Sequence, residues 1–360
     1  MKRVVLHFIM LIYMLLGMCV SAQVITGTVY DGTTGAPVMN VNVYLDGTTY
    51  FAVTNDSGVF KLNVGKMINA PLVFSHVAYE ILRIEKPFEK DLREIYLDEK
   101  VNELEEVVIK TGLFSRGEKM KAFEQQFLGD SKIGKSCVIA NKDDIYLYYD
   151  GDTKTLYAKC FEPIIVTNDY LGYQMYFSLA EFNIRYMTKT LKKGHIEYVL
   201  LRGSVFFKDI APLNPVIKKR RNEIYKGSLN YFFKSLANNS LASSRHVIYN
   251  HRNKMQMNDL QQAVPSQYFD ITDNGAGKNV CIKSNSGINT VTFNTYKFPL
   301  PITGVITVAD PSGGFSEIIF LTDEFTVDAF GNTDKKDYIY VTGHMSNQRA
   351  GSMVPLDNEF

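Results

Sequence analysis

Between Val24 and Leu97 apolar and polar residues alternate in short runs, at Val41, Val43 and Leu45 and again at Val59, Phe60, Leu62 and Val64, the period of half-buried strands. Asp31-Gly32, Gly35-Ala36-Pro37, Asp46-Gly47 and Asn55-Asp56-Ser57-Gly58 punctuate these runs at the spacing of a small sandwich. Beyond it the period lengthens: Met120, Phe123, Phe127 and Leu128 predict an amphipathic helix over 117–128. Strand signals follow. Ile145 to Tyr149 and Thr155 to Ala158 flank Asp150-Gly151-Asp152 as a hairpin. The segments 163–166, 172–186 and 195–207, the last two joined through Lys192-Lys193-Gly194, continue as an antiparallel meander. Pro215 to Leu236 reads as one long helix with Ile217, Ile224, Tyr225, Leu229, Phe232, Phe233 and Leu236 on its apolar face. From Tyr268 strands return, with Gly275, Gly313-Gly314 and Gly331-Asn332 at turns. The expected fold class is mainly β with α+β character, a β-sandwich followed by a larger antiparallel α+β domain.

The first residues carry a different pattern. Met1-Lys2-Arg3 and the apolar run Val4 to Val20 have the form of an export signal, and Val20-Ser21-Ala22 supplies small residues for cleavage between Ala22 and Gln23. An uncleaved anchor is the alternative for an apolar run close to the ~18 residues that span a bilayer. Leu16-Gly17-Met18-Cys19 has the outline of a lipid-attachment site, with Met18 a poor residue before the modified Cys. The expected organisation is a signal peptide over 1–22, a sandwich over 23–99, a linker over 100–114 and an α+β domain over 115–360. With cleavage, no transmembrane segment is expected in the mature chain.

Gly27-Thr28-Val29, Asp31, Gly35-Ala36-Pro37, the segment Thr54 to Phe60 and the segment Phe74 to Glu80 resemble the carboxypeptidase regulatory-like domain. The resemblance implies a transthyretin-like, seven-stranded Greek-key sandwich that is an accessory to carboxypeptidases and not their catalytic part. Ala78 stands where that family usually has Gly before the Tyr. Val101 to Ile109 is similar to the segment joining this domain to the plug of TonB-dependent transporters. The remaining chain is too short for a 22-stranded barrel of ~9–11-residue strands, so shared envelope machinery is implied rather than transport. Glu124 to Gly129, Pro163 to Tyr176, Tyr225 to Leu229 and Val354 to Asp357 resemble a domain that follows the same sandwich in exported proteins of Bacteroidetes, a resemblance that implies no activity. In place of the Arg-His pair of that pattern this chain has Asn230-Tyr231.

Composition changes the picture little. A chain of 360 residues suggests two domains at roughly 150 residues each. Its 46% hydrophobic and 21% charged residues are those of an ordinary globular protein. The formal charge of +1 becomes −1 when Lys2 and Arg3 leave with the signal peptide, which gives no electrostatic case for nucleic acid. The basic run Lys218 to Arg221, beside Glu223, is expected to be a solvated helix face. Cys137, Cys160 and Cys281 remain after cleavage and are expected to be buried free thiols, with one disulfide pair as the alternative.

Candidate chemistry is sparse. Gly129-Asp130-Ser131-Lys132-Ile133-Gly134-Lys135-Ser136 fits the phosphate-binding loop pattern, which needs a strand entering and a helix leaving. Here a helix-like segment enters and Cys137-Val138-Ile139 leaves with strand propensity, so a polar loop closing a helix is expected. Asp56-Ser57-Gly58 matches the aspartic-protease triplet without a second copy and is expected to be a turn. His7, His76, His195, His246, His251 and His344 form no local zinc motif, and no Gly-x-Ser-x-Gly or Ser-x-x-Lys occurs. Asp270, Asp273, Asn274 and Asn279 crowd a Gly-rich turn whose spacing misses a calcium loop, so an ordinary hairpin turn is expected, with weak calcium binding as the alternative. No catalytic residue, metal or cofactor is assigned. The expectation is a non-catalytic envelope protein at the periplasmic face of the outer membrane, with an outer-membrane receptor, a lipoprotein or a glycan as partner and exposed Tyr and Phe at the contact. The alternative is an exported hydrolase whose site is assembled in the larger domain.

Overall fold

A computed structural model of the chain describes residues 23–100, 112–249, 262–275, 277–283 and 301–358. The expected signal peptide with Ala22, the lipid-attachment outline at Cys19, the transporter-like segment Val101 to Ile109, His7 and His251 lie outside the described residues.

Seven strands build the first unit: β1 (Gln23–Asp31), β2 (Asn42–Leu45), β3 (Phe51–Val53), β4 (Val59–Val64), β5 (Leu72–His76), β6 (Tyr79–Ile84) and β7 (Glu94–Leu97). They form two facing sheets, of order β4-β1-β7 and β3-β2-β5-β6, as the resemblance implies. Val41, Val43 and Leu45 point inward as expected, against Val29, Leu72 and Phe74. On β4 the inward residues are Phe60, Leu62 and Val64, whereas Val59 is exposed, because period-2 alternation sends it to the opposite face from Phe60. Tyr44 and Val73 break the alternation of β2 and β5 by being fully buried although they face away from this core. Their cover comes from the next unit.

That unit begins with α1 (Arg116–Phe127), opened by a reciprocal cap between Ser115 and Glu118, and the short α2 (Lys132–Lys135). Strands β8 (Cys137–Ile139), β9 (Tyr146–Asp150), β10 (Thr155–Lys159), β11 (Ile164–Asn168), β12 (Tyr173–Tyr186) and β13 (Ile196–Asp209) then form one antiparallel sheet. The expected hairpin and the β11-β12-β13 meander are present, and the whole is more than a meander. The long β12 pairs with β11 through its first half and with β10 through its second, while β13 runs along its other side. A register shift between Leu179 and Glu181 marks a bulge at Ala180. One extra residue reverses the parity of inward positions, so Tyr173, Met175 and Phe177 face the core before it and Phe182, Ile184 and Tyr186 after it. Phe123 and Phe127 of α1 pack edge-to-face on Phe182 and Phe177 from the inner side.

The expected helix over 215–236 is two: α3 (Pro215–Lys226) and α4 (Leu229–Ala237). The break falls at Gly227-Ser228, where the Ser228 hydroxyl accepts the Tyr231 N–H and starts a new helix. The short α5 (Leu241–Ser244) follows. Then come β14 (Val247–Tyr249), β15 (Gln262–Ala263), β16 (Phe269–Asp273), β17 (Lys278–Ile282), β18 (Gly304–Ala309), β19 (Phe315–Phe320), β20 (Glu324–Val327) and β21 (Ile339–Gly343). They make a sheet of order β15-β14-β18-β19-β21 and a second of order β16-β17-β20, with Phe232, Phe233 and Leu236 of α4 in the core beside Phe320 and Phe325. The part of the chain after 115 thus holds two large hydrophobic clusters. No helix among the described residues is long and apolar enough to cross a membrane.

Arg221, expected on a solvated face, is buried. Its guanidinium makes two 2.8 Å bonds to Asp209, donates to the Leu171 and Gly172 carbonyls and lies 3.7 Å from the centre of the Tyr173 ring. Burial, the largest single effect, pushes the Asp209 carboxyl up, but the Arg221 hydrogen bonds, the Ala211 amide and the charges of Arg221 and Lys218 together hold the group below the usual carboxylate range. The first turns of α3 are therefore locked onto the end of β12.

Two substitutions test this packing by urea denaturation. Phe206→Ala removes the ring between Tyr44, Phe51 and Tyr176 and is expected to cost about 3–5 kcal/mol. Arg221→Ala leaves Asp209 without its partner and is expected to cost about 3 kcal/mol, whereas replacement of exposed Lys219 changes stability by less than about 0.5 kcal/mol.

Candidate functional site

The residues that carry the family resemblance make the fold. The Asp31 carboxylate accepts the Thr33 and Thr34 amides and, at 2.8 Å, the Tyr79 hydroxyl. The Thr34 amide first and the Tyr79 hydroxyl next hold its pKa down to about 2. Buried Thr54 donates to the Val38 carbonyl and accepts the Val41 amide. Asp56-Ser57-Gly58 is the turn expected: Asn55 accepts the Ser57 and Val59 amides, and Gly58 takes a φ of 72°.

The segment resembling a phosphate-binding loop is entered from α1 and left through β8, the reverse of the order that chemistry requires. Ser131 caps the four-residue α2 by accepting the Gly134 amide, and Lys132, Lys135 and Ser136 are exposed. Asp270, Asp273, Asn274 and Asn279 lie on the β16–β17 hairpin, where Lys278 binds Asp273 and Lys283 binds Asp270. Asp270, Asp273 and Lys278 border a cleft of about 410 Å³ lined also by Leu236, Leu241 and Phe269. Among the described residues no three His, Cys, Asp or Glu side chains gather as metal ligands would. Cys137 and Cys160 are half-buried free thiols, and burial first of all pushes each up to about 11. Cys281 is free but exposed, not buried as expected, because it alternates with inward Val280 on a strand with one open face.

Two features escaped sequence reading. One lies at an end of the five-stranded sheet. Asp310, the first residue of the β18–β19 turn, has a fully buried carboxylate that accepts the Ser312 hydroxyl and contacts His344 Nδ1 at 2.5 Å. Burial pushes it up, yet the Ser312 and His344 hydrogen bonds bring it below its ordinary value. His246 immediately precedes the neighbouring strand β14, its Nδ1 2.8 Å from the Ser244 hydroxyl and its Nε2 buried with no partner. Burial pulls its pKa down to about 4. An Asp-His pair orients an imidazole as a general base requires, but among the described residues no hydroxyl or thiol hydrogen-bonds the ring of His344 on a nucleophile's side. The 34 residues separating Asp310 from His344 left no local signature.

The other feature is a surface. On the side of the six-stranded sheet away from α1, Tyr148 pairs with Tyr157 and Tyr146 with Lys159 across β9 and β10. Tyr146 and Phe161 are each 60% exposed and Tyr148 is 45% exposed. Tyr198 on β13 adds a fourth exposed ring to the same face, through the Tyr198–Arg185 pairing. Leu147 and Tyr149, between these positions, are buried in the core. The alternation of Tyr146 to Tyr149 reads as a strand, but all of its residues are apolar or aromatic, so sequence could not tell the covered face from the open one.

His246 generates a pH prediction. Its folded pKa, about 4, lies below the unfolded value of about 6.5, so between these values the unfolded chain binds a proton that the folded chain does not. Stability is expected to fall as pH drops from about 6.5 toward 4, by roughly 2–3 kcal/mol in all. His246→Phe, which keeps a ring beside Tyr231 and Phe232, flattens that dependence in denaturation midpoints measured at pH 7, 5.5 and 4.5.

Compared with known proteins, no curated sequence matches the chain. Residues 25–109 match the family model of the CarboxypepD_reg-like domain, so the seven-stranded unit that carries the Asp31–Tyr79 bond is a carboxypeptidase regulatory-like domain.

Proposed function

We propose that the protein is a non-catalytic binding or scaffold component of the cell envelope in a Bacteroidetes bacterium. It is exported through the signal at residues 1–22, cleaved between Ala22 and Gln23, and acts at the periplasmic face of the outer membrane with transport or glycan-handling machinery. The observation that carries this reading is the group of exposed aromatic side chains on one sheet face, Tyr146 and Tyr148 on β9, Phe161 just beyond β10 and Tyr198 on β13. Large apolar rings gathered on one rigid sheet mark interaction surfaces. Two further features support it: the regulatory-like domain, an accessory by resemblance, and Gln23, which already pairs with Val64 in β1.

The test is affinity recovery of the mature protein, tagged after Phe360, from the envelope of its own organism. The wild-type protein is expected to bring down an outer-membrane receptor, a lipoprotein or an envelope glycan in stoichiometric amount. A Tyr146→Ala/Phe161→Ala variant with an unchanged denaturation midpoint is expected to lose it. A chain recovered alone, or a partner held equally by the variant, overturns the proposal.

A second reading, an exported hydrolase, is favoured by the Asp310–His344 pair alone. It requires turnover of an ester, peptide or glycosidic substrate that His344→Gln abolishes while leaving the fold intact.

A further inference from the structure

We infer that the open face of β9 and β10 binds a neutral polysaccharide by stacking sugar rings on Tyr148 and Tyr157. This deepens the binding reading and rests on it. The two tyrosines stack on each other across the strands with ring centres 6.2 Å apart and planes 19° from parallel, which leaves the outward side of each ring for a sugar. Tyr146 and Phe161 extend it, their rings 5.7 Å apart at 67°.

Four observations select the ligand. First, the ion pairs nearest these rings on the same face are internal. Arg185 pairs with Glu197 at 3.2 Å and Arg202 with Glu181 at 3.7 Å. An anionic polymer requires a surplus of cations; these two pairs offer none, and Lys159, opposite Tyr146 on the same face, has an interaction of its own. Second, Asn183 lies beside Tyr157 in the ladder and is 7% exposed, with its amide N–H given to Glu181 and its carbonyl oxygen without a donor. A buried acceptor of this kind is costly unless it is bonded, and a hydroxyl-bearing ligand supplies the missing donor. Third, the edge of β9 is closed to an added strand. Arg116 donates to the Ile145 carbonyl at 3.0 Å and Lys119 to the Leu147 carbonyl at 3.1 Å, so main-chain pairing with a peptide is blocked. Fourth, Tyr146, Tyr148, Tyr157 and Tyr198 carry hydroxyls at the rims of apolar rings. A pyranose matches that pattern, with C–H groups on its faces and hydroxyls around its edge, whereas an acyl chain has nothing to offer the hydroxyls.

The experiment is native gel electrophoresis of the mature protein in gels cast with soluble polysaccharides. The panel is an α-glucan, a β-glucan, a galactan, a mannan and, as the charged control, polygalacturonate. The wild-type protein is expected to be retarded by at least one neutral polymer, to the same degree in 50 and 500 mM salt, and not by polygalacturonate. Tyr148→Ala weakens binding at least about tenfold, as loss of one stacking ring does elsewhere, while Tyr148→Phe retains it. Retardation that is unchanged in a Tyr148→Ala/Tyr157→Ala double variant, that vanishes at high salt, or that occurs with no neutral polymer overturns the inference. Envelope recovery with the same variants separates the two levels. A protein partner lost on Tyr148→Ala, with no polysaccharide bound, removes the sugar and leaves the binding reading standing. No polysaccharide bound and no partner recovered removes both.

Discussion

The rest of the structure depends on a turn of the sandwich pressed against an edge of the larger sheet. Asp46 accepts the Val205 amide at 2.8 Å, Gly47 donates to the Val205 carbonyl at 2.6 Å, and Thr48 accepts the Phe207 amide at 2.9 Å. Through these bonds the β2–β3 turn continues the ladder of β13. Phe206 then fills the space between Tyr44, Phe51 and Tyr176, and the Tyr44 hydroxyl reaches Ser204 at 2.7 Å. The chain end closes the joint from the other side. Leu356 donates to the Gly47 carbonyl, Asp357 binds Thr49, and a Leu356 methyl lies 2.9 Å from where a Cβ on Gly47 would stand. Gly47, at a φ of 76°, is the residue that both the turn and this approach require.

A joint of buried backbone bonds and aromatic packing does not swing as a tethered accessory does. Asn69 of the sandwich also bonds Asp328 and Thr326 in the last part of the chain. The sandwich therefore contacts both of the units that follow it and is a wall of the molecule. That position bears on the proposed role, because a rigid support fixes the direction in which the open sheet face presents its rings.

The same joint explains which half of the long β12–β13 hairpin is open. Its end at Tyr176 and Phe206 is covered by the sandwich, while exposed Tyr198 lies toward the other end. The bulge at Ala180 lets both halves keep their apolar side on α1 despite the change of parity. One continuous hairpin thus serves as an interface at one end and as a presenting surface at the other.

Much of this architecture is written in local pattern. Alternation at Val41, Val43 and Leu45, the Gly-rich turns, and the spacing of Phe123 and Phe127 are short-range properties, and each element formed where that pattern placed it. The break at Gly227-Ser228 was also local, a helix-capping serine after a glycine, overlooked because the apolar spacing runs through it. Burial of Tyr44, Val73 and Arg221, the Asp310–His344 pair and the choice of open face were not legible in this way. Each depends on residues tens to more than a hundred positions away coming together, and neither period nor composition encodes which distant partner arrives. The sequence by itself determined strands, helices and turns, because these follow from backbone geometry and the nearest side chains. Only the tertiary structure decided which faces were covered, because covering a face is a contact between elements and not a property of either one.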